Sequence, residues 1–236
     1  MKLDIAGFEN DLAIVRDFTM LSRRRLLSLY ECVVSCERNN LEGAYVECGV
    51  WKGGAVGLMA LANVRYGNNK RHLHLFDTFE GVPEPDEKVD GERAIEEARK
   101  FGVQTLGRLT CNPQFYENMD REVGTLEINK TLLEQVISYH TDFIHYHKGF
   151  FQDTVPDIAH HVGTIAILRL DGDWYSSTKA CLDHLYDKVA KGGFVIIDDY
   201  GAYDGCKKAV DEFLSEHAIR VRLRKVGSEL RYLVKP

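Results

Sequence analysis

From Tyr45 onward the chain repeats one pattern, a short apolar run followed by a longer stretch with helical spacing. Apolar runs of this length mark strands buried on both faces, as happens when crossover helices cover both sides of a parallel sheet. They predict strands over Ala44 to Cys48, His72 to Asp77, Phe143 to Lys148, Thr164 to Asp171 and Gly193 to Asp198, then Ile219 to Lys225 and Leu230 to Val234. Only Val226, Gly227, Ser228 and Glu229 separate the last two, too few for a crossover helix, so these should pair as an antiparallel hairpin. The expected fold is therefore α/β and Rossmann-like, with a mostly parallel sheet of seven strands ending in that hairpin.

Ahead of the sheet, Leu12, Val15, Phe18, Leu26, Leu29, Tyr30 and Val33 recur at helical intervals. They predict a helix over 11–38 inside an N-terminal cap of residues 1–40. A length of 236 residues suits one domain. The long segment Thr78 to Asp142 follows the second strand and carries GVPEPDEKVDGERAIEEARK, rich in acids and proline. Functional loops gather at the carboxyl ends of strands, so residues 78–125 read as a lid-like insertion whose first half is mobile.

A net charge of −6 without an extended basic tract leaves no footprint for nucleic acid. No run of eighteen apolar residues exists, and Met1 to Asn10 lacks the basic-then-apolar order of a secretion signal, so a soluble, cytoplasmic protein away from membranes is expected. The six cysteines are dispersed, with no CxxC pair and no histidine spacing suited to zinc; they read as buried, reduced thiols. Arg23, Arg24 and Arg25 form a short basic cluster, read as a solvated helix face, with contact to an acidic cofactor group as the alternative.

Three motifs carry chemistry. Glu47-Cys48-Gly49-Val50-Trp51-Lys52-Gly53-Gly54 lies between the first strand and a helix beginning near Ala55. Its glycines allow a tight turn and close backbone approach to a ligand. The GxGxxG spacing of a dinucleotide fold is absent, and the acid before Gly49 suits an ammonium such as that of the methionine part of S-adenosylmethionine. Asp77, followed by Thr78, ends the second strand, where a carboxylate can accept hydrogen bonds from both ribose hydroxyls. Finally, Leu170-Asp171-Gly172-Asp173 and Ile197-Asp198-Asp199 end neighbouring strands, which brings Asp171, Asp198 and Asp199 into one crevice. Carboxylates this close repel unless a cation sits among them, and an all-oxygen set favours magnesium, calcium or manganese over zinc. Asp173 is read instead as a cap for the helix from Trp174.

His72 and His74, like His145 and His147, share a strand face, and packing is the preferred reading over metal binding. Trp174, Thr178, Cys181, Leu182, Leu185 and Val189 form an apolar helical stripe, with Gly192 as the expected C-terminal cap.

The stretches VECGVWKGGA, LFDTFEGVPEPD, HKGFFQDTVP, LRLDGDWYSST, GGFVIIDDY and CKKAVDEF, taken in that order, resemble the macrocin O-methyltransferase family, which methylates sugar hydroxyls in antibiotic biosynthesis. The resemblance implies a class I methyltransferase sheet and an S-adenosylmethionine cofactor, with family cofactor motifs on Glu47, Gly49, Gly53 and Asp77. Trp51, Gly54 and Thr78 stand beside them. It implies Mg2+ on Asp171, Asp198 and Asp199. A looser similarity to catechol O-methyltransferases suggests that Gly149, Phe151 and Gln152 frame the adenine; the lysine base of those enzymes is replaced here by Trp174. Asp171 is then the expected catalytic base as well as a cofactor-side residue, with His145 or His147 as the alternative. The expected partner is a small-molecule acceptor, a glycoside or nucleotide sugar, and the expected assembly a homo-oligomer. The competing functions are a nicotinamide-dependent oxidoreductase, a non-catalytic cofactor-binding protein and a metal-dependent phosphatase.

Overall fold

The computed structural model describes residues 3–236, so the first two residues of the expected cap, and of the stretch read for a secretion signal, lie outside the described residues. The N-terminal helix is broken in two. α1 (Ile5–Val15) and a short helical turn end at Phe18, and α2 (Arg23–Arg38) restarts after the extended residue Thr19, with Ser22 capping its first turn. The break has a packing cause: the Phe18 carbonyl runs so close to Gly54 that a Cβ there would lie 2.6 Å from its oxygen.

β1 (Ala44–Cys48), α3 (Gly54–Tyr66) and β2 (Leu73–Asp77) follow the predicted strand-turn-helix order. The insertion after β2 carries α4 (Glu92–Lys100), α5 (Gln114–Glu117) and α6 (Leu126–Lys130) before β3 (Ile144–Lys148). α7 (Phe151–Val162), β4 (Ile165–Leu170), α8 (Tyr175–Leu185), β5 (Val189–Ile197), α9 (Asp204–Glu216), β6 (Arg224–Val226) and β7 (Leu230–Val234) complete the chain. The sheet has seven strands in the order β3-β2-β1-β4-β5-β7-β6. β1 to β5 run parallel, and β7 pairs antiparallel with both β5 and β6, as the short last connection requires.

One face of the sheet packs against α1, α2 and α3 through Phe8, Leu12, Leu26, Leu58 and Met59. The other packs against α7, α8 and α9 through Val155, Cys181, Leu182, Cys206 and Phe213. Chain order reverses between β1 and β4, and the crevice at their carboxyl ends is where ligands of open α/β sheets bind.

Two predicted boundaries fail for local reasons. β6 is shorter than the run 219–225 because the Ile219 amide donates to Leu214 at the end of α9, and only Arg224–Val226 find partners on β7. Gly192 is not a helix cap: α8 has already ended, through a turn at Tyr186–Lys188, and Gly192 sits inside β5 at φ +82°, its amide on the Lys235 carbonyl.

The insertion is folded and docked. Ala94 and Ala98 are fully buried, and Val82, Ala98, Val103 and Phe115 form a small core of their own. Trp174 donates from its indole nitrogen to the Pro83 carbonyl at 2.9 Å, and the Tyr203 hydroxyl donates to Glu97 at 2.6 Å. α4 therefore lies over the crevice.

Candidate active site

The turn after β1 is fixed from three sides. Gly49 has φ +88°, and a Cβ there would stand 1.9 Å from the Asp171 carbonyl oxygen, so only glycine fits between the two strand ends. The amides of Val50 and Trp51 donate to Asp77 Oδ2 at 2.7 and 3.3 Å, while Phe79 donates to Oδ1 at 2.7 Å. Asn129, fully buried in the insertion, donates to the Trp51 carbonyl at 2.7 Å. Burial pushes the Asp77 carboxyl up from its ordinary range, and those three amides pull it back.

Two cavities meet over this floor. Of the residues singled out for a cofactor, Gly49, Trp51, Asp77, Thr78, Phe151, Gln152 and Asp171 line the first, together with Met20, Tyr116, Phe150 and Asp173. Glu47 and Gly54 line the second, which also takes in Asp171, Asp173, Asp198 and Asp199. Gly53 and Gly149 line neither, although both flank lining residues. Met20, Trp51, Asp171, Asp173 and Tyr203 belong to both cavities and form their shared wall.

The acids converge. One oxygen from each of Asp171, Asp198 and Asp199 lies within 4.8 Å of the others. They are not alone, however: Arg169, 1% exposed on β4, donates to Glu47 and to Asp171 at 2.5 and 2.9 Å, and its Nη2 stands 3.1 Å from Asp198 Oδ1. Arg25 donates to Asp198 Oδ2 at 2.7 Å and pairs with Glu229. Two guanidiniums thus provide part of the neutralisation that sequence reasoning gave wholly to a metal ion. The compensation is incomplete, since Glu47 Oε2, Arg169 Nη2 and Asp198 Oδ1 are buried without a hydrogen-bond partner. The Arg169–Asp198 contact is near enough for attraction but misaligned for a hydrogen bond. Burial pushes Glu47 up to about 8 against the pull of Arg169. Burial and the neighbouring Asp171 raise Asp198 to about 6, and burial with mutual repulsion drives Asp173 and Asp199 well up. An oxygen-only cluster this short of positive charge, with an orphaned carboxylate oxygen, fits a hard divalent cation.

Several expectations change. Asp173 does not cap α8: Asp90, from the insertion, accepts the Tyr175 amide at 2.7 Å, which frees Asp173, at φ +57°, to face both cavities. Arg25 is not on a solvated face, although Arg23 is, paired with Glu9 at the surface. His145 and His147 cannot serve as bases here. They line neither cavity, and their rings pair with those of His72 and His74 across the strands at 2.8 and 3.0 Å. Arg169 was missed, though a lone charge inside the doubly buried run Ile165–Leu170 was its visible signal. Arg25 showed only as part of a basic cluster read as solvated, and Asn129, Glu97 and Tyr203 left no trace.

The match to the macrocin-O-methyltransferase (TylF) family description extends over residues 11–234. A curated relative, demethyldecarbamoylnovobiocin O-methyltransferase of Streptomyces niveus, is 33% identical over 204 residues, covering 85% of this chain and 69% of its own. A second, 8-demethyl-8-(2,3-dimethoxy-alpha-L-rhamnosyl)-tetracenomycin-C 4'-O-methyltransferase of Streptomyces olivaceus, is 32% identical with the same coverage. Among solved structures, the O-methyltransferase NovP superposes with a TM-score of 0.69 at 32% identity, over 92% of this chain and 82% of that one.

Proposed function

Because this chain belongs to the macrocin-O-methyltransferase family, and is thereby an S-adenosylmethionine-dependent O-methyltransferase, we propose that its acceptor is a hydroxyl on the sugar of a glycosylated small molecule. The observation that carries this reading is the shared wall of the two cavities, where a methyl donor beside Asp77 would face an acceptor over the acids. We assign Asp77 and Thr78 to the ribose and Phe151 and Gln152 to the base; that all four line the first cavity supports the assignment. The family leaves the nicotinamide, phosphatase and non-catalytic alternatives without support.

A divalent ion on Asp171, Asp198 and Asp199, Mg2+ by its oxygen-only donors, would orient two adjacent hydroxyls and make them more acidic. S-adenosylmethionine held beside Asp77 would supply the methyl group: the acceptor oxygen would bond to the methyl carbon as the carbon–sulfur bond breaks, leaving a neutral thioether. The hydroxyl proton passes to a carboxylate. Asp173 is better placed to take it than Asp171, because Asp171 already accepts from Arg169 while no guanidinium touches Asp173. Trp51 and Tyr116, ring centroids 6.3 Å apart, wall the donor side from water.

Charge narrows the acceptor class. Glu47, Asp171, Asp173, Asp198, Asp199 and Glu229 outnumber Arg25, Arg93 and Arg169 in the second cavity, which favours a neutral glycoside over a nucleotide diphosphate sugar. No helix among the described residues is long and apolar enough to cross a membrane. The six free thiols support a reducing, cytoplasmic setting, and exposed Ile5, Ile14 and Val64 on the packed pair α1 and α3 support a homo-oligomer.

The test is mass spectrometry of glycosides and nucleotide sugars incubated with enzyme, labelled cofactor and Mg2+, with and without chelator. Label should enter neutral glycosides and vanish with chelator. Label on nucleotide sugars alone would reverse the acceptor assignment, and full turnover in excess chelator would remove the metal.

A further inference from the structure

We propose that Arg25 is an internal cation which occupies the acid site when no divalent ion is present and must leave Asp198 for one to bind. This rests on the reading of Asp171, Asp198 and Asp199 as cation ligands. Both oxygens of Asp198, itself 2% exposed, face guanidiniums: Arg25 at 2.7 Å on Oδ2 and Arg169 at 3.1 Å on Oδ1. A hard divalent ion sits roughly 2.0 to 2.6 Å from its carboxylate oxygens, so it would stand only a few ångströms from both positive groups. In a poorly screened site that repulsion is severe. One guanidinium has to go.

Arg169 cannot be the one. It is 1% exposed, rises from the central strand β4, and is tied to acids on β1, the end of β4 and the end of β5. Arg25 can. Its side chain is 20% exposed on the first turn of α2, and its outer arm already rests on Glu229 in the turn between β6 and β7. That turn is held independently, since the Gly201 amide donates to the Glu229 carbonyl at 2.8 Å. Arg93 of α4 approaches the same carboxylate at 3.5 Å. Glu229 is thus a landing point for a displaced Arg25. Exchange of a monovalent for a divalent cation adds one positive charge where Glu47 Oε2 and Asp198 Oδ1 lack partners. It also unfastens α2 from the acid floor on the side of the cavity that Arg25, Arg93 and Glu229 line. Loading the ion and opening the acceptor mouth become one event.

Binding of Mn2+, followed by electron paramagnetic resonance of the free ion at neutral pH without acceptor, tests this on the wild-type chain, Arg25→Gln, Arg25→Lys and Asp198→Asn, alone and combined with Arg25→Gln. Loss of a charge-assisted pair should let Arg25→Gln bind Mn2+ about ten- to a hundredfold tighter. It should also show a larger rise in Tm on adding Mn2+ than the wild type. Arg25→Lys, which keeps the charge but loses the two-armed bridge, should fall between them and serves if Arg25→Gln folds poorly. In the Asp198→Asn background the gain should disappear. Wild-type binding with no tightening in either Arg25 variant, or a gain that survives Asp198→Asn, overturns the exchange and leaves the metal site standing. Absence of Mn2+ binding in every variant up to millimolar ion overturns the metal site itself.

Discussion

Two buried arginine networks sit at opposite ends of the same sheet and differ in one respect. At the amino end, Arg71 grips Glu37 with two arms at 2.7 and 3.0 Å and gives a third hydrogen bond to the Gly43 carbonyl. Tyr45 and Asn63 also donate to Glu37, and the Tyr139 hydroxyl closes the set on Asn63 and Arg71. None of these side chains has a buried atom without a partner. At the carboxyl end, Arg169 faces Glu47, Asp171 and Asp198, and three buried atoms remain unpaired. Satisfied networks hold a fold; a partly satisfied one is costly unless something else completes it. The network at the amino end is complete as it stands, and the one at the carboxyl end is left short of partners, which supports the proposal that it receives a ligand.

The largest effect should come from removing each arginine. Breaking a buried pair by deleting one partner costs about 3 to 5 kcal/mol, so Arg71→Met and Arg169→Met should both lower stability markedly in denaturant titrations. Millimolar Mg2+ should restore part of the loss in Arg169→Met, where it replaces missing charge, and none in Arg71→Met. Equal rescue of both, or of neither, would erase the distinction between the two ends.

Next in size is Asp199→Asn. It removes one acid that burial and repulsion hold well above the usual carboxylate range, so Tm should stay level or rise. Turnover should fall about a hundredfold or more while calorimetric affinity for S-adenosylmethionine is nearly unchanged. A variant that loses cofactor affinity instead would move Asp199 to the donor side. Smaller again is Asp77→Asn: a lost charge-assisted hydrogen bond to ribose is worth roughly 1.5 to 3 kcal/mol, and affinity should drop accordingly. The amide oxygen can still accept from Val50 and Trp51, at the loss of the Phe79 hydrogen bond, and undiminished affinity would confine Asp77 to its structural duty in the loop.

What the sequence revealed follows the same division. Strand positions, the hairpin and the convergence of Asp171, Asp198 and Asp199 were legible because each depends on local periodicity and on where strands end. Arg25 was not, since its partner Asp198 lies 173 residues away and helical spacing alone makes it look solvated. The cap of α8 was misassigned to Asp173 because the true acceptor, Asp90, is 85 residues upstream of Tyr175, in an insertion whose docking no local pattern encodes. The break between α1 and α2 answers to Gly54, equally remote in sequence. Charges that bridge distant elements are where local reading ends.

A third polar group, centred on the buried His74, sharpens the contrast, because it has neither charge balance nor a ligand to wait for. The rings of His72, which immediately precedes β2, His74 on β2, and His145 and His147 on β3 pair with each other, with His74 and His145 stacked at 4.5 Å. Burial first, and the neighbouring imidazoles second, push His74 down to about 3 and His147 down to about 4. An unfolded histidine takes up a proton as the pH falls through about 6.5, whereas folded His74 stays neutral until near 3. The unfolded chain therefore binds more protons across that window, and stability present above it is lost as the pH falls. For His74, which is 5% exposed, the loss between pH 7.5 and 5 should be about 2 kcal/mol; His147 is more exposed and adds less. Urea titrations of wild type and His74→Phe at the two pH values measure it. The variant should lose about 2 kcal/mol less than the wild type on acidification, and it should do so in excess Mg2+ as well as without it, since the histidine edge lies outside both cavities. An acid loss that His74→Phe leaves untouched, but that Mg2+ alters, would instead place the pH dependence in the Asp171, Asp198 and Asp199 cluster.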